Sequence, residues 1–201
     1  MELELKRGGR TARVETLGGE LVSYRDERGL EYIWGGDPAY WPGRNPLLFP
    51  IVGMLKEGKI RFDGREYAME RHGFARRREF TPAARGEDWV RLELRESAET
   101  LALYPYSFRL AVEQRLTDTG FSTAVTVANP GEGPLPFCLG AHTGFRCPLE
   151  AGERFEDYEL VFPERESCPT LLLRDGLLDR PAALPLSLIH ISEPTRLQLI
   201  S

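Results

Sequence analysis

Short runs in which apolar and polar residues alternate one for one, cut apart by glycine and proline, constrain this chain more than any other feature. Val90, Leu92 and Leu94 alternate with Arg91, Glu93 and Arg95. Phe108, Leu110, Val112 and Leu116 fall on one parity, Arg109, Glu113 and Arg115 on the other. A period of two puts successive side chains on opposite faces of a strand, so each run predicts a strand with one face to bury. After Asp118-Thr119-Gly120 the alternation resumes at Phe121, Thr123, Val125 and Val127, which predicts an antiparallel pair. Ile60–Tyr67 predicts a second hairpin, because Asp63-Gly64 accepts the positive φ of a type I′ turn. Further strands are expected near Glu2–Leu5, Ala12–Thr16, Glu20–Arg25 and Glu31–Trp34, and only Ser97–Leu103 carries a helical turn or two. Glycine and proline are spread along the chain rather than gathered into a linker, and no solenoid period is present. The expected class is all-β, a large antiparallel sandwich.

Composition narrows the function classes. Hydrophobic residues make up 41% and charged residues 28%, ordinary for a packed domain. With 26 Lys+Arg against 31 Asp+Glu the net charge is −5, which leaves no basic face for a nucleic acid partner. No run approaches the ~18–20 apolar residues of a membrane span, and Met1-Glu2-Leu3-Glu4-Leu5-Lys6 lacks the apolar core of a signal peptide. Three cysteines in 201 residues do not make a disulfide framework, so a soluble cytoplasmic protein is expected.

Two histidines stand in glycine-rich contexts suited to chemistry. His72 lies in Arg71-His72-Gly73-Phe74-Ala75-Arg76, and His142 in Leu139-Gly140-Ala141-His142-Thr143-Gly144-Phe145. Flanking glycines let a backbone approach a ligand closely, and imidazoles exchange protons near neutral pH; equally, each can be a turn or packing residue. Cys138, His142 and Cys147 can ligate metals, but no close cysteine pair or fourth ligand accompanies them, so no metal is expected and core thiols are the default. The default for Arg76-Arg77-Arg78 is a solvated strand end, with one arginine free to anchor a hydroxyl-rich or anionic ligand. Trp34, Tyr40 and Trp41 can stack on sugar faces; their default is to fill the sandwich.

In order along the chain, Gly35-Gly36-Asp37-Pro38-Ala39-Tyr40-Trp41, Leu48-Phe49-Pro50-Ile51-Val52-Gly53, His72-Gly73-Phe74-Ala75-Arg76 and Gly140-Ala141-His142-Thr143-Gly144-Phe145-Arg146-Cys147-Pro148-Leu149 resemble the aldose 1-epimerase (galactose mutarotase-like) family, in particular its LacX-like branch. The resemblance covers about Met1 to Pro185. It implies an antiparallel β-supersandwich, incomplete here at the C-terminus. It also implies interconversion of the α and β anomers of an aldose or aldose phosphate, with a small sugar as partner and no cofactor. By the same resemblance the catalytic residues are His142, the general acid, and His72, which hydrogen-bonds the sugar near its ring oxygen and assists proton transfer, while Arg76 binds substrate. Met54, Thr143 and Arg146 depart from the family's common arginine, proline and asparagine. The family's base is a glutamate nearer the C-terminus, and neither Glu164 nor Glu166 is marked for that role. Two other readings stay open: a non-catalytic carbohydrate-binding sandwich, and an accessory β-domain of a larger carbohydrate enzyme.

The end of the chain reads differently. Leu186 to Arg196 can be written codon for codon as a transposase-type sequencing adapter, and beyond its variable index the adapter again encodes Ile200-Ser201. Residues 1–185 are therefore expected to be a partial sugar-active domain, and 186–201 a non-native tail.

Overall fold

The computed structural model describes residues 1–161, 170–182 and 189–190. Cys168, Glu164, Glu166 and most of the final segment fall outside the described residues. The chain divides into two compact units, Met1–Arg146 and Cys147–Ser201.

The first unit is built from antiparallel strands. β1 (Glu2–Arg7), β2 (Arg10–Glu15) and β3 (Glu20–Arg25) form a three-stranded meander, while β7 (Thr81–Arg85), β8 (Trp89–Arg95), β9 (Arg109–Leu116) and β10 (Phe121–Ala128) form a four-stranded sheet in the order β10-β9-β8-β7. Parity decides burial. Val90, Leu92 and Leu94 on β8 and Leu110, Val112 and Leu116 on β9 are buried. They meet Leu3, Leu5, Val14 and Leu21 of the meander in one core. Gln114, on the apolar side of β9, is also buried; its amide nitrogen donates to Gly19 O (3.2 Å) and its oxygen accepts from the Thr123 hydroxyl (2.6 Å). A buried amide paired at both ends is tolerated where an unpaired one is costly.

β7 carries Pro82, a register shift and no buried side chain, as suits the edge of a sheet. β5 (Lys59–Phe62) and β6 (Arg65–Ala68) form the second hairpin, with φ of +47° at Asp63 and +81° at Gly64. The helical turn is Ala98–Leu101, started by a Ser97–Thr100 capping box. Glu31–Trp34 is extended but makes only isolated bridges, Arg25 with Glu31 and Ile33 with Phe145. The reason is local: the Glu31 carboxylate accepts from the N–H groups of Tyr24 (2.9 Å) and Ile33 (3.0 Å), which replaces part of a ladder.

In the second unit β12 (Glu159–Leu160) pairs with β15 (Ile189–His190), and β13 (Thr170–Arg174) with β14 (Leu177–Ala182). Among the described residues no helix is long and apolar enough to cross a membrane.

Candidate functional site

One stretch, Arg44 to Gly53, holds both histidines in place. Its middle is apolar and sunk in the core: β4 (Leu47–Leu48), Phe49 and Ile51 are buried. The Phe49 ring stands 6.1 Å from Phe74, 6.0 Å from Tyr104 and 5.3 Å from Phe108. Its carbonyl accepts from the N–H groups of Phe74 (3.0 Å) and Ala75 (3.2 Å), which draws the His72-Gly73 turn against it. Gly73 is required there, because a Cβ would lie 2.2 Å from Phe49 O and its φ is +71°. His72 itself sits at φ +68°. It is tied down twice: its N–H donates to Gly53 O (2.9 Å), and its Nδ1 accepts from the Gly53 N–H (3.0 Å).

His142 is hung from the other end of the same stretch. β11 (Gly140–Ala141) pairs with β4, the His142 N–H donates to Pro46 O (3.2 Å), and the Gly144 N–H donates to Arg44 O (2.7 Å). Trp34 N–H donates onward to Gly144 O (2.9 Å) and Arg146 N–H to Tyr32 O (2.9 Å). Gly144 fits because a Cβ would come within 2.8 Å of the Trp41 ring and 3.1 Å of Arg44 O.

Residues 70 positions apart in sequence are thereby brought face to edge. The His72 and His142 rings lie 4.8 Å apart at 89°. Since His72 Nδ1 accepts a hydrogen bond, its neutral ring carries the proton on Nε2, which leaves a donor for a ligand. Burial, reinforced by the positive fields of His142, Arg76 and Arg71, pulls the His72 imidazole down to about 4. Burial and then Arg71 and Arg76 push His142 in the same direction. The Arg76 side chain is half-buried and donates through Nη2 to Arg71 O (2.9 Å). Its Nε and the Nε2 of His142 are buried and hydrogen-bond to no described residue. Unpaired buried donors and acceptors are rare, which sets these two atoms apart from the other polar groups of the described residues.

Several expectations are corrected. The arginine run forms a 3₁₀ turn, Ala75–Arg77, rather than a strand end, and Arg77 is engaged by Glu70 and Arg78 by Glu99. That turn leaves Arg76 half-buried, where its charge acts on both histidines. Tyr40 (83% exposed) and Trp41 (37%) do not fill the sandwich; Trp34 is half-buried and donates its Nε1–H to Trp41 O (2.8 Å). These aromatics ride on a surface loop because the core is already filled by Phe49, Phe74, Tyr104 and Phe108. Cys138 is exposed and Cys147 half-buried, so neither is a core thiol. Among the described residues no three His, Cys, Asp or Glu side chains come together as metal ligands would. Asn45, Glu20 and the carbonyl of Pro46 belong to the frame of the site and escaped sequence reasoning, since no local pattern links them to a histidine about a hundred residues or more away. A groove of about 460 Å³ beside β7 and β8 includes Arg78, Arg95 and Glu93 but neither histidine. Its arginines are already paired, Arg78 with Glu99 and Arg95 with Glu93.

Comparison with known proteins places this geometry in context. The aldose 1-epimerase family profile matches residues 1–176. The plasmid-borne protein LacX of Lactococcus lactis subsp. lactis is 41% identical over 187 residues, 89% of this chain and 62% of that protein; its chromosomal counterpart matches to the same extent. The chain thus spans less than two thirds of the length of these relatives. A galactose mutarotase related enzyme from Lactobacillus acidophilus superposes with a TM-score of 0.87 at 28% identity, covering 94% of this chain and 64% of that one. A galactose mutarotase-like protein from Lactobacillus casei gives 0.81 at 30% identity, covering 90% and 64%.

Proposed function

The chain belongs to the aldose 1-epimerase family, and from that premise we propose that it seats the ring of an aldose, free or phosphorylated, against His72 and His142 to serve exchange of its α and β anomers. The observation that carries the reading is the pair of edge-to-face imidazoles, 4.8 Å apart, together with the Nε2 of His142 and Nε of Arg76, which find no partner among the described residues. A sugar offers hydroxyls and a ring oxygen, each able to donate or accept, and so can answer both.

The chemistry is proton exchange at two oxygens. A carboxylate base takes the proton of the anomeric hydroxyl, the C1–O5 bond breaks, and O5 takes a proton from His142. Rotation of the aldehyde and reversal of these transfers close the ring on its other face. His72, neutral with its proton on Nε2, donates a hydrogen bond near O5 without giving the proton up. Arg76 holds a hydroxyl or an anionic substituent. Burial and two arginines disfavour an imidazolium at His142, and negative charge developing on the sugar is what makes it accessible. No described carboxylate is assigned the base role; in this reading it lies in sequence characteristic of longer members of the family.

Proton-coupled imidazole signals test the binding step in this chain. A large excess of aldose should shift the ring signals of His72 and His142, and unchanged rings would sink the proposal. In a form of the protein that turns sugar over, His142→Ala should slow anomer exchange by about 10²–10⁴-fold, read by NMR exchange spectroscopy. Burial and positive neighbours disfavour an imidazolium at both histidines, which favours one second reading, a sandwich that binds the sugar without turning it over. Ring shifts with no catalysed exchange in the longest natural reading frame would select it.

A further inference from the structure

The frame that fixes His142 contains polar side chains that the acid–base scheme does not use. Glu20, at the start of β3, accepts through one carboxylate oxygen from the N–H groups of both Arg44 (3.0 Å) and Asn45. Asn45 is buried, and its Oδ1 accepts from the Thr143 hydroxyl at 2.7 Å. The residue after Asn45 offers its carbonyl to His142, and the residue before it offers its carbonyl to Gly144. Three elements distant in sequence, β3, the 44–46 segment and the 142–144 turn, are thus joined at one buried residue, Asn45, through its backbone N–H on one side and its side-chain oxygen on the other.

We propose that Glu20, Asn45 and Thr143 are positioning residues that set the direction of the His142 ring. The proposal rests on the sugar-site reading for its functional meaning, though its geometry stands apart from it. Backbone pairing holds the chain on either side of Thr143, through β11 on β4, His142 to Pro46 O, Gly144 to Arg44 O and Trp34 to Gly144 O. The side-chain bond from Thr143 to Asn45 adds a tie made by the residue next to His142 itself, and it binds the tip of the turn to a buried side chain. Glu20 in turn fixes the segment that carries Asn45, so the direction of the His142 ring is referred back to the sheet.

The experiment is amide hydrogen exchange and imidazole NMR on the labelled chain in the absence of sugar. Thr143→Val removes the hydroxyl at nearly constant shape, and Asn45→Leu removes its acceptor. Each should speed exchange of the His142 and Gly144 amides by about threefold to tenfold, the range for one neutral hydrogen bond. Each should also displace the His142 ring signals while leaving the His72 amide and ring as in the parent. The double variant should show no more than the larger single effect, and Thr143→Ser should restore the parent values. Parent-like His142 exchange and ring signals in either single variant would overturn the proposal. So would equal disturbance at His72, which would mean general loosening. Should Asn45→Leu fail to fold, the Thr143→Val and Thr143→Ser pair still decides. Because no sugar is present, failure here is distinct from failure of aldose to shift the rings of the parent chain.

Discussion

His72 is the residue where burial, backbone strain and charge meet, and its protonation makes a measurable demand on the fold. An unfolded imidazole titrates near 6.5, whereas the folded His72 is held at about 4 by burial, His142, Arg76 and Arg71. Between those values the unfolded chain takes up a proton that the folded chain refuses. Stability from this group is therefore full above about 6.5 and is lost as the pH falls toward about 4. His142 acts in the same direction. Denaturant melts between pH ~7 and ~4.5 should show a declining midpoint, and His72→Gln, which cannot ionise, should flatten that decline. Two glycines offer a sharper contrast at the same scale. Gly64 and Gly73 both have positive φ, but a Cβ on Gly64 meets nothing within 4 Å, whereas one on Gly73 meets the Phe49 carbonyl at 2.2 Å. Gly64→Ala should cost only the dihedral penalty of ~1–2 kcal/mol. Gly73→Ala must also displace a core backbone and should cost at least ~3 kcal/mol in equilibrium unfolding.

Among the elements, the 44–53 segment matters most, although it forms only two residues of regular strand. It works because its side chains and its backbone have separate tasks. The side chains of Leu47, Leu48, Phe49 and Ile51 are buried. The backbone groups at Pro46, Phe49 and Gly53 hold His142, the Gly73 turn and His72. Truncating Phe49 therefore strikes both. Phe49→Ala should destabilise by ~3–5 kcal/mol through lost burial and a cavity. Any protein that remains folded should show faster amide exchange at Phe74 and Ala75, whose N–H groups depend on the Phe49 carbonyl. The β9–β10 pair behaves differently: β9 is buried along one face, while Phe121, Val125 and Val127 of β10 are only partly covered.

For the whole molecule, that difference sets association behaviour. Among the described residues β10 pairs only with β9, which leaves its outer edge with unpaired backbone groups. β7, at the opposite edge of the same sheet, is blunted by Pro82 and a register shift; β10 carries neither device. The 201-residue chain should therefore self-associate through β10, read as concentration-dependent elution in size-exclusion chromatography. Thr126→Lys, placing a charge on that exposed strand, should shift the protein toward monomer. Residues 186–201 are the segment expected to be a non-native tail. Sequencing the source locus past the Pro185 codon decides whether that tail is native.

The sequence by itself determined the strands and their faces, since alternation at Val90–Leu94 and Phe108–Leu116 fixes which side must leave water, whatever the partner. It determined the Asp63-Gly64 turn and the helical turn within Ser97–Leu103 as well, because both depend on near neighbours in the chain. It also marked His72, His142 and Arg76, through motifs that resemble a known family. Only the tertiary structure decided how they meet. The Arg76 turn, the surface position of Tyr40 and Trp41, the bridging by Glu31 and the Glu20–Asn45–Thr143 frame all depend on which distant backbone groups happen to face one another. Such pairings leave no local trace, because a carbonyl such as that of Pro46 is the same in every sequence, and only the packing of Phe49 and its neighbours brings it within reach of His142.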